Sequence, residues 1–209
     1  MSCIKRKLLY FNLRGQAEPI RFLLVALNVP FEDVRVTENE WVRLKTKIPT
    51  QRLPYLEVTS SAGSVGYSDG MATARLIARK NDMMGNSDEE YYKVERIIEQ
   101  CSDIENAYRK FALMSNGDEK TKLKVAFINE IAPSLLKLVC RSLQTSGGNF
   151  VAGEKPSFGV LYMLTVLDHV ADVDPNLLEC SEFAKHREFV LHAFPSLAEY
   201  IRTRPSTPT

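Results

Sequence analysis

LLYFNLRGQAEPIRFLL, residues 8–24, changes its period in the middle. A short apolar run ends at Tyr10 and Phe11, and Ile20, Leu23, Leu24 and Leu27 then recur at helical spacing. The change predicts a strand, a tight turn and an amphipathic helix. Pro19 fits the first turn of that helix, where its missing N–H costs nothing. A side chain at a strand-to-helix turn can be aimed at a ligand rather than buried, so Tyr10 is either a core aromatic or a reagent.

Working outward, FEDVRV reads as a second strand and NEWVRLKTK as a short, poorly defined helical stretch. LPYLEVTSS and SVGYS bracket a turn near Ala62-Gly63 and read as a hairpin, and GMATARLIARKND closes the unit as a helix. The order is βαβ followed by ββα. The first two strands need a crossover and the last two can pair antiparallel, so a small α/β domain with a mixed sheet is expected. NDMMGNSDEE reads as a linker, with Ser87 and Glu90 spaced as a capping box.

Beyond the linker the chain turns helical. YYKVERIIEQCSDIENAYRKFAL and EKTKLKVAFINEIAPSLLKLVCRSL are long helical patterns, the second to be kinked or divided by Pro133. SFGVLYMLTVLDHVADV is apolar nearly throughout, as suits the middle of a bundle. Asp168, His169 and Asp172 interrupt it too much for a membrane span. Two shorter helices, EFAKHREFVLHAF and SLAEYIRTR, precede a Pro-containing tail. The domains expected are residues 1–83, mixed α/β, and residues 84–209, all helical.

Twenty-seven Lys and Arg against 26 Asp and Glu give the 209-residue chain a formal charge of +1, and neither sign forms a long run. That argues against nucleic acid or an anionic membrane as partner. The N-terminus MSCIKRKLLYF lacks a signal-peptide core, and the expectation is a cytosolic protein. Cys3, Cys101, Cys140 and Cys180 are scattered, form no CxxC pair, and show no metal-ligand spacing with His169, His186 or His192. No metal is expected, and the cysteines read as reduced thiols in or near a core.

The pieces YFNLRGQAEPIR, Trp41 with Lys45, RLPYLEV and MATARLIARK resemble the cytosolic glutathione transferases, and the resemblance covers essentially the whole chain. The YFNxRGxAE form and the start of the first long helix resemble the sigma class, especially that of parasitic flatworms. The resemblance implies a thioredoxin-like N-terminal domain that binds glutathione. It also implies an all-helical C-terminal domain that supplies a hydrophobic substrate pocket and dimer contacts.

The chemistry of such a site sets what its residues must do. The nucleophile is the glutathione thiolate, so a thiol pKa of about 8.5 must fall toward or below neutrality. Two units correspond to roughly 2.7 kcal/mol of preferential thiolate stabilisation. The resemblance gives Tyr10 the hydrogen bond to the sulfur and Arg14 a fixed positive charge facing it. Leu53 and Pro54 match the place where a cis-proline turns backbone groups toward the cysteinyl part of the tripeptide, like a short added strand. Trp41 and Lys45, one helical turn apart, are implied at the glycine end, with Arg52 a further partner for its carboxylate.

At the γ-glutamyl end the family commonly has Gln-Ser or Glu-Ser where this chain has Asp69-Gly70. Asp69 retains an acceptor for the ammonium, whereas Gly70 lacks the hydroxyl and offers only its N–H. Asp103 matches an acid supplied across a homodimer interface. Two more departures are Gln16, where relatives have arginine, and Val160, where an aspartate would complete a capping box with Ser157. Arg14 and Tyr108 are implied as lining of the electrophile pocket, Tyr108 being equally readable as a packing aromatic.

The activity implied is conjugation of glutathione to hydrophobic electrophiles, and sigma-class relatives include prostaglandin D synthases. A non-catalytic carrier or a crystallin-like structural protein is the alternative that Gly70 and Gln16 motivate. An omega-type thiol reductase would need a cysteine at the Tyr10 turn, and Cys3 lies before the first strand.

Overall fold

A computed structural model of the chain describes residues 4–145 and 150–207. Cys3 lies outside the described residues. The described residues form two compact units, one running up to Lys80 and taking in the segment from Pro195 onward, the other running from Asn81 to Phe194.

In the first unit, β1 (Lys5–Phe11) leads through a 3-10 turn (Gly15–Ala17) into α1 (Glu18–Ala26), which carries Pro19 in its first turn. β2 (Glu32–Val36), α2 (Glu38–Leu44), β3 (Tyr55–Ser60), β4 (Gly63–Ser68) and α3 (Gly70–Lys80) follow. The sheet order is β2-β1-β3-β4. β1 runs parallel to β2, with Tyr10 opposite Arg35, and antiparallel to β3, with Leu8 opposite Leu56. This is the mixed sheet that the βαβ and ββα order implies, closed by the hairpin between Ser60 and Gly63. Leu8, Ile20, Phe22, Leu23 and Leu56 make its core, each at most 2 % exposed. The short α2 owes its definition to a capping box in which Thr37 Oγ1 accepts from Glu40 N–H and Glu40 Oε2 accepts from Thr37 N–H.

The second unit contains α4 (Asp88–Ala112), α5 (Asp118–Ala126), α6 (Ala132–Gln144), α7 (Phe158–Val173) and α8 (Ser181–Ala193). The break expected at Pro133 is a π turn, Phe127–Ile131, that joins α5 to α6. Pro133 falls in the first turn of α6, so the N–H it lacks is one that the turn does not require. α7 is buried along almost its whole length and packs on α4, in which Val94, Ile97, Cys101 and Ile104 are buried, and this explains why its sequence shows no polar face.

Three local expectations need correction. Ser87 caps α4, but Glu90 Oε2 accepts from Asn86 N–H rather than from Ser87, so the box does not close. Ser157, 2 % exposed, makes no side-chain cap bond to α7 at all. Cys140 and Cys180 are not reduced thiols but are joined by a disulfide. Cys101 is free and buried, its thiol pKa pushed up by burial and by Glu105.

The C-terminal segment was expected in the helical domain, but α9 (Pro195–Thr203) packs on α1. A buried carboxylate explains this. Glu18, 1 % exposed, accepts from Arg21 Nη1 at 3.0 Å, from Tyr200 Oη at 3.2 Å and from Arg204 Nη1 at 2.8 Å. Two of its three partners thus come from the chain's end, and an unpaired carboxylate there would be costly. Burial and the Glu18 charge push the Tyr200 phenol pKa up, so it stays a donor.

Candidate active site

Tyr10 stands at the end of β1, and its ring is 9 % exposed. Its hydroxyl oxygen accepts the backbone N–H of Gln16 at 3.2 Å. A donor on the phenol oxygen withdraws charge from it and strengthens its own O–H as a donor without consuming that proton. Gly15 lies under the ring with φ +39°, and a Cβ there would be 2.8 Å from the Tyr10 oxygen. The position therefore demands glycine twice, for backbone conformation and for space.

Arg21 holds the turn between Tyr10 and α1. Its guanidinium, fully buried, donates through Nη1 to the carbonyls of Leu13 at 2.9 Å and Arg14 at 3.3 Å, and through Nε to Asp33 at 3.0 Å. Burial opposes its charge, but Glu18 and Asp33 outweigh that and raise its pKa. It also lies over the Tyr10 ring, 5.9 Å from the centroid. Sequence reasoning missed this residue. The signal was an arginine inside the apolar run PIRFLL, three residues after a glutamate.

Arg14, half-buried, follows the Tyr10 turn directly. Trp41 is half-buried on α2, and Phe11 links it to Tyr10, with ring centroids 6.4 Å from Trp41 and 5.9 Å from Tyr10. Lys45 donates its backbone N–H to the carbonyl of Trp41, so the two share a helical face, and Lys45 is exposed.

The Leu53–Pro54 peptide is cis, and Pro54 is buried at the head of β3. Arg52, which the resemblance assigns to the glycine carboxylate, forms an ion pair with Asp69 at 3.0 Å. Asp69 is held at φ +66°, a conformation uncommon outside glycine, immediately before α3. Gly70 follows as the first residue of α3, buried. A Cβ at 70 would meet the Gln16 carbonyl oxygen at 2.5 Å and Pro54 Cγ at 3.3 Å. Tyr10, Gln16, Pro54 and Gly70 are thereby stitched into one locality, by a hydrogen bond on one side of Gln16 and by van der Waals contact on the other.

In the second unit, Asp103 is exposed on α4. Tyr108 is 3 % exposed, stacks on His169 with centroids 5.0 Å apart, and packs edge-on against Phe111 and Phe127. Of its two readings, this placement supports the packing aromatic over the pocket-lining one. Among the described residues no group of three or more His, Cys, Asp or Glu is placed to hold a metal ion. None of their helices is long and apolar enough to cross a membrane.

A mixed four-stranded sheet with a tyrosine ending its first strand, a cis-proline opening its third and a helix N-terminus beside both defines a thioredoxin-like domain, here accompanied by a helical one. Residues 102–204 match the family model described as glutathione S-transferase, C-terminal domain. Over 205 residues, 97 % of each chain, the sequence is 42 % identical to the glutathione S-transferase class-mu 28 kDa isozyme of Schistosoma mansoni. A sigma class enzyme of Fasciola hepatica superposes with a TM-score of 0.91 at 39 % identity, covering 99 % of both chains. The human hematopoietic prostaglandin D synthase is 25 % identical over 203 residues, 96 % of this chain and 97 % of its own. The chain belongs to the glutathione S-transferase family.

Proposed function

We propose that this protein conjugates glutathione to hydrophobic electrophiles, with Tyr10 donating its hydroxyl hydrogen bond to the glutathione thiolate and Arg14 adding positive charge. The observation that carries the reading is the Tyr10 hydroxyl at the strand end, accepting Gln16 N–H and so pre-set to donate. Leu53 would pair its backbone with the cysteinyl segment, Trp41 and Lys45 would receive the glycine carboxylate, and Asp69 the γ-glutamyl ammonium. Arg52, beside Asp69 in the free protein, would then meet a γ-glutamyl carboxylate rather than the glycine one.

The same reading takes the protein as a cytoplasmic homodimer in which Asp103 of one subunit reaches the ammonium in the other. Its exposure on α4 supports this. The carrier alternative loses part of its motive, since Gly70 answers to the close approach of Gln16.

The test is a pH titration of the thiolate absorbance of glutathione bound to the wild-type protein and to Tyr10→Phe. The expected result is a thiol pKa depressed by about two units in the wild type and restored in the variant. Turnover should fall far more than glutathione affinity. Glutathione bound with an unshifted thiol would overturn the catalytic role.

A further inference from the structure

The disulfide Cys140–Cys180 opens onto a groove of about 580 Å³ in the second unit. Lys137, Cys140, Arg141 and Gln144 line it at positions i, i+3, i+4 and i+7 of α6, so one helical face carries the sulfur between two cations. Across the groove, Cys180 occupies the N-cap of α8, next to Glu179. Both cysteines are half-buried rather than enclosed. Neither Lys137 nor Arg141 is engaged in an ion pair among the described residues.

We propose that this groove is a second site for glutathione, acting by thiol–disulfide exchange and separate from the Tyr10 site. The glutathione thiolate carries two carboxylates besides its sulfur, and Lys137 and Arg141 attract it to the Cys140 side. Glu179 repels it from the Cys180 side. The thiolate attacks the Cys140 sulfur; a bond forms between the two sulfurs, the Cys140–Cys180 bond breaks, and Cys180 leaves with the electron pair. The direction of attack is thus set by charge, the cations beside Cys140 guiding the thiolate there, and the Cys180 thiolate released takes a proton from water. A second glutathione thiolate attacks the glutathionyl sulfur on Cys140. Glutathione disulfide departs and the Cys140 thiolate takes a proton from water. The pair gains two electrons and two glutathiones lose them, and the reverse sequence reforms the bond from glutathione disulfide. The state of a bridge between α6 and α8 is thus tied to the ratio of the protein's own co-substrate to its oxidised form.

The experiment uses the full chain, with acid quenching, alkylation and peptide mass mapping, so Cys3 and Cys101 are followed separately. Oxidised wild-type protein in reduced glutathione should pass through a mixed disulfide on Cys140. Cys180→Ser treated with glutathione disulfide should retain that adduct on Cys140, while Cys140→Ser should react at Cys180 about tenfold more slowly. Lys137→Gln with Arg141→Gln should slow reduction by glutathione about tenfold and speed, or at least not slow, reduction by cysteamine, whose cation the two side chains repel. Equal slowing with both thiols, equal reactivity of the two cysteines, or no bridge between Cys140 and Cys180 in air-oxidised protein would each overturn the proposal. Because turnover is not measured, its failure is distinct from failure of the Tyr10 mechanism.

Discussion

The carbonyl oxygen of Gln16 lies 2.5 Å from where a Cβ on Gly70 would stand. Gly70 therefore answers to the path of the backbone at residue 16, whichever side chain stands there. Restoring the missing hydroxyl by Gly70→Ser should lower stability by about 1–3 kcal/mol, because the obstructing atom is backbone and cannot swing aside. Denaturant unfolding measures this, and glutathione affinity should not improve. A stable serine variant that binds glutathione more tightly would show that the Gln16 segment yields.

Arg21 has charged partners in Glu18 and Asp33 and backbone partners in Leu13 and Arg14. Removing one member of a buried charge network typically costs about 3–5 kcal/mol, since the others remain buried and unbalanced. Arg21→Met should fall in that range by urea denaturation. Arg21→Lys should recover only part of the loss, because an ammonium cannot serve Asp33 and two carbonyls with one planar fork. A loss below about 1 kcal/mol in the methionine variant would mean that the turn after Tyr10 is held by other contacts.

What the sequence revealed and concealed follows from the range of the interactions involved. Pro19, the Ala62-Gly63 turn and the strand ending at Phe11 were legible because each depends on neighbours within a few residues. Arg21 was overlooked because its meaning needs Asp33 from β2 and Glu18 held in place by Tyr200 and Arg204. The same buried carboxylate explains why α9 was assigned to the wrong unit. Nothing in SLAEYIRTR announces a partner some 180 residues earlier in the chain. Cys140 and Cys180, 40 residues apart, were likewise unpairable from spacing alone.

Arg52 and Asp69 are 70 % and 55 % exposed, so their pair contributes little to folding, within about 1 kcal/mol at most. Their effect should appear in binding. Asp69→Asn should weaken glutathione binding by about 1.5–3 kcal/mol, the usual worth of a charge-assisted bond, with the melting temperature nearly unchanged. Arg52→Gln should weaken glutathione and leave a tripeptide analogue lacking the γ-glutamyl carboxylate unaffected. If the analogue lacking the glycine carboxylate is the one unaffected, Arg52 serves the glycine end after all. Calorimetric titration of both analogues decides between the two.

His186 is 1 % exposed on α8, with Nδ1 donating to the carbonyl of Glu182 at 2.8 Å. Burial lowers its pKa, and the Glu182 carbonyl and carboxylate offset this only in part, while Lys185 adds to the lowering. The folded protein therefore holds the imidazole neutral, whereas the unfolded chain takes up a proton near pH 6.5. The unfolded state binds the extra proton, so the stability that the neutral imidazole supplies is complete above about pH 7 and is lost as pH falls through the folded-state pKa. Unfolding free energy should decline as pH is lowered from about 7 into the weakly acidic range, and His186→Asn should flatten that decline while lowering stability at neutral pH. Denaturation curves across this interval, fitted with a common slope, give the answer. An unchanged pH profile in the variant would show that the acid sensitivity does not arise at His186.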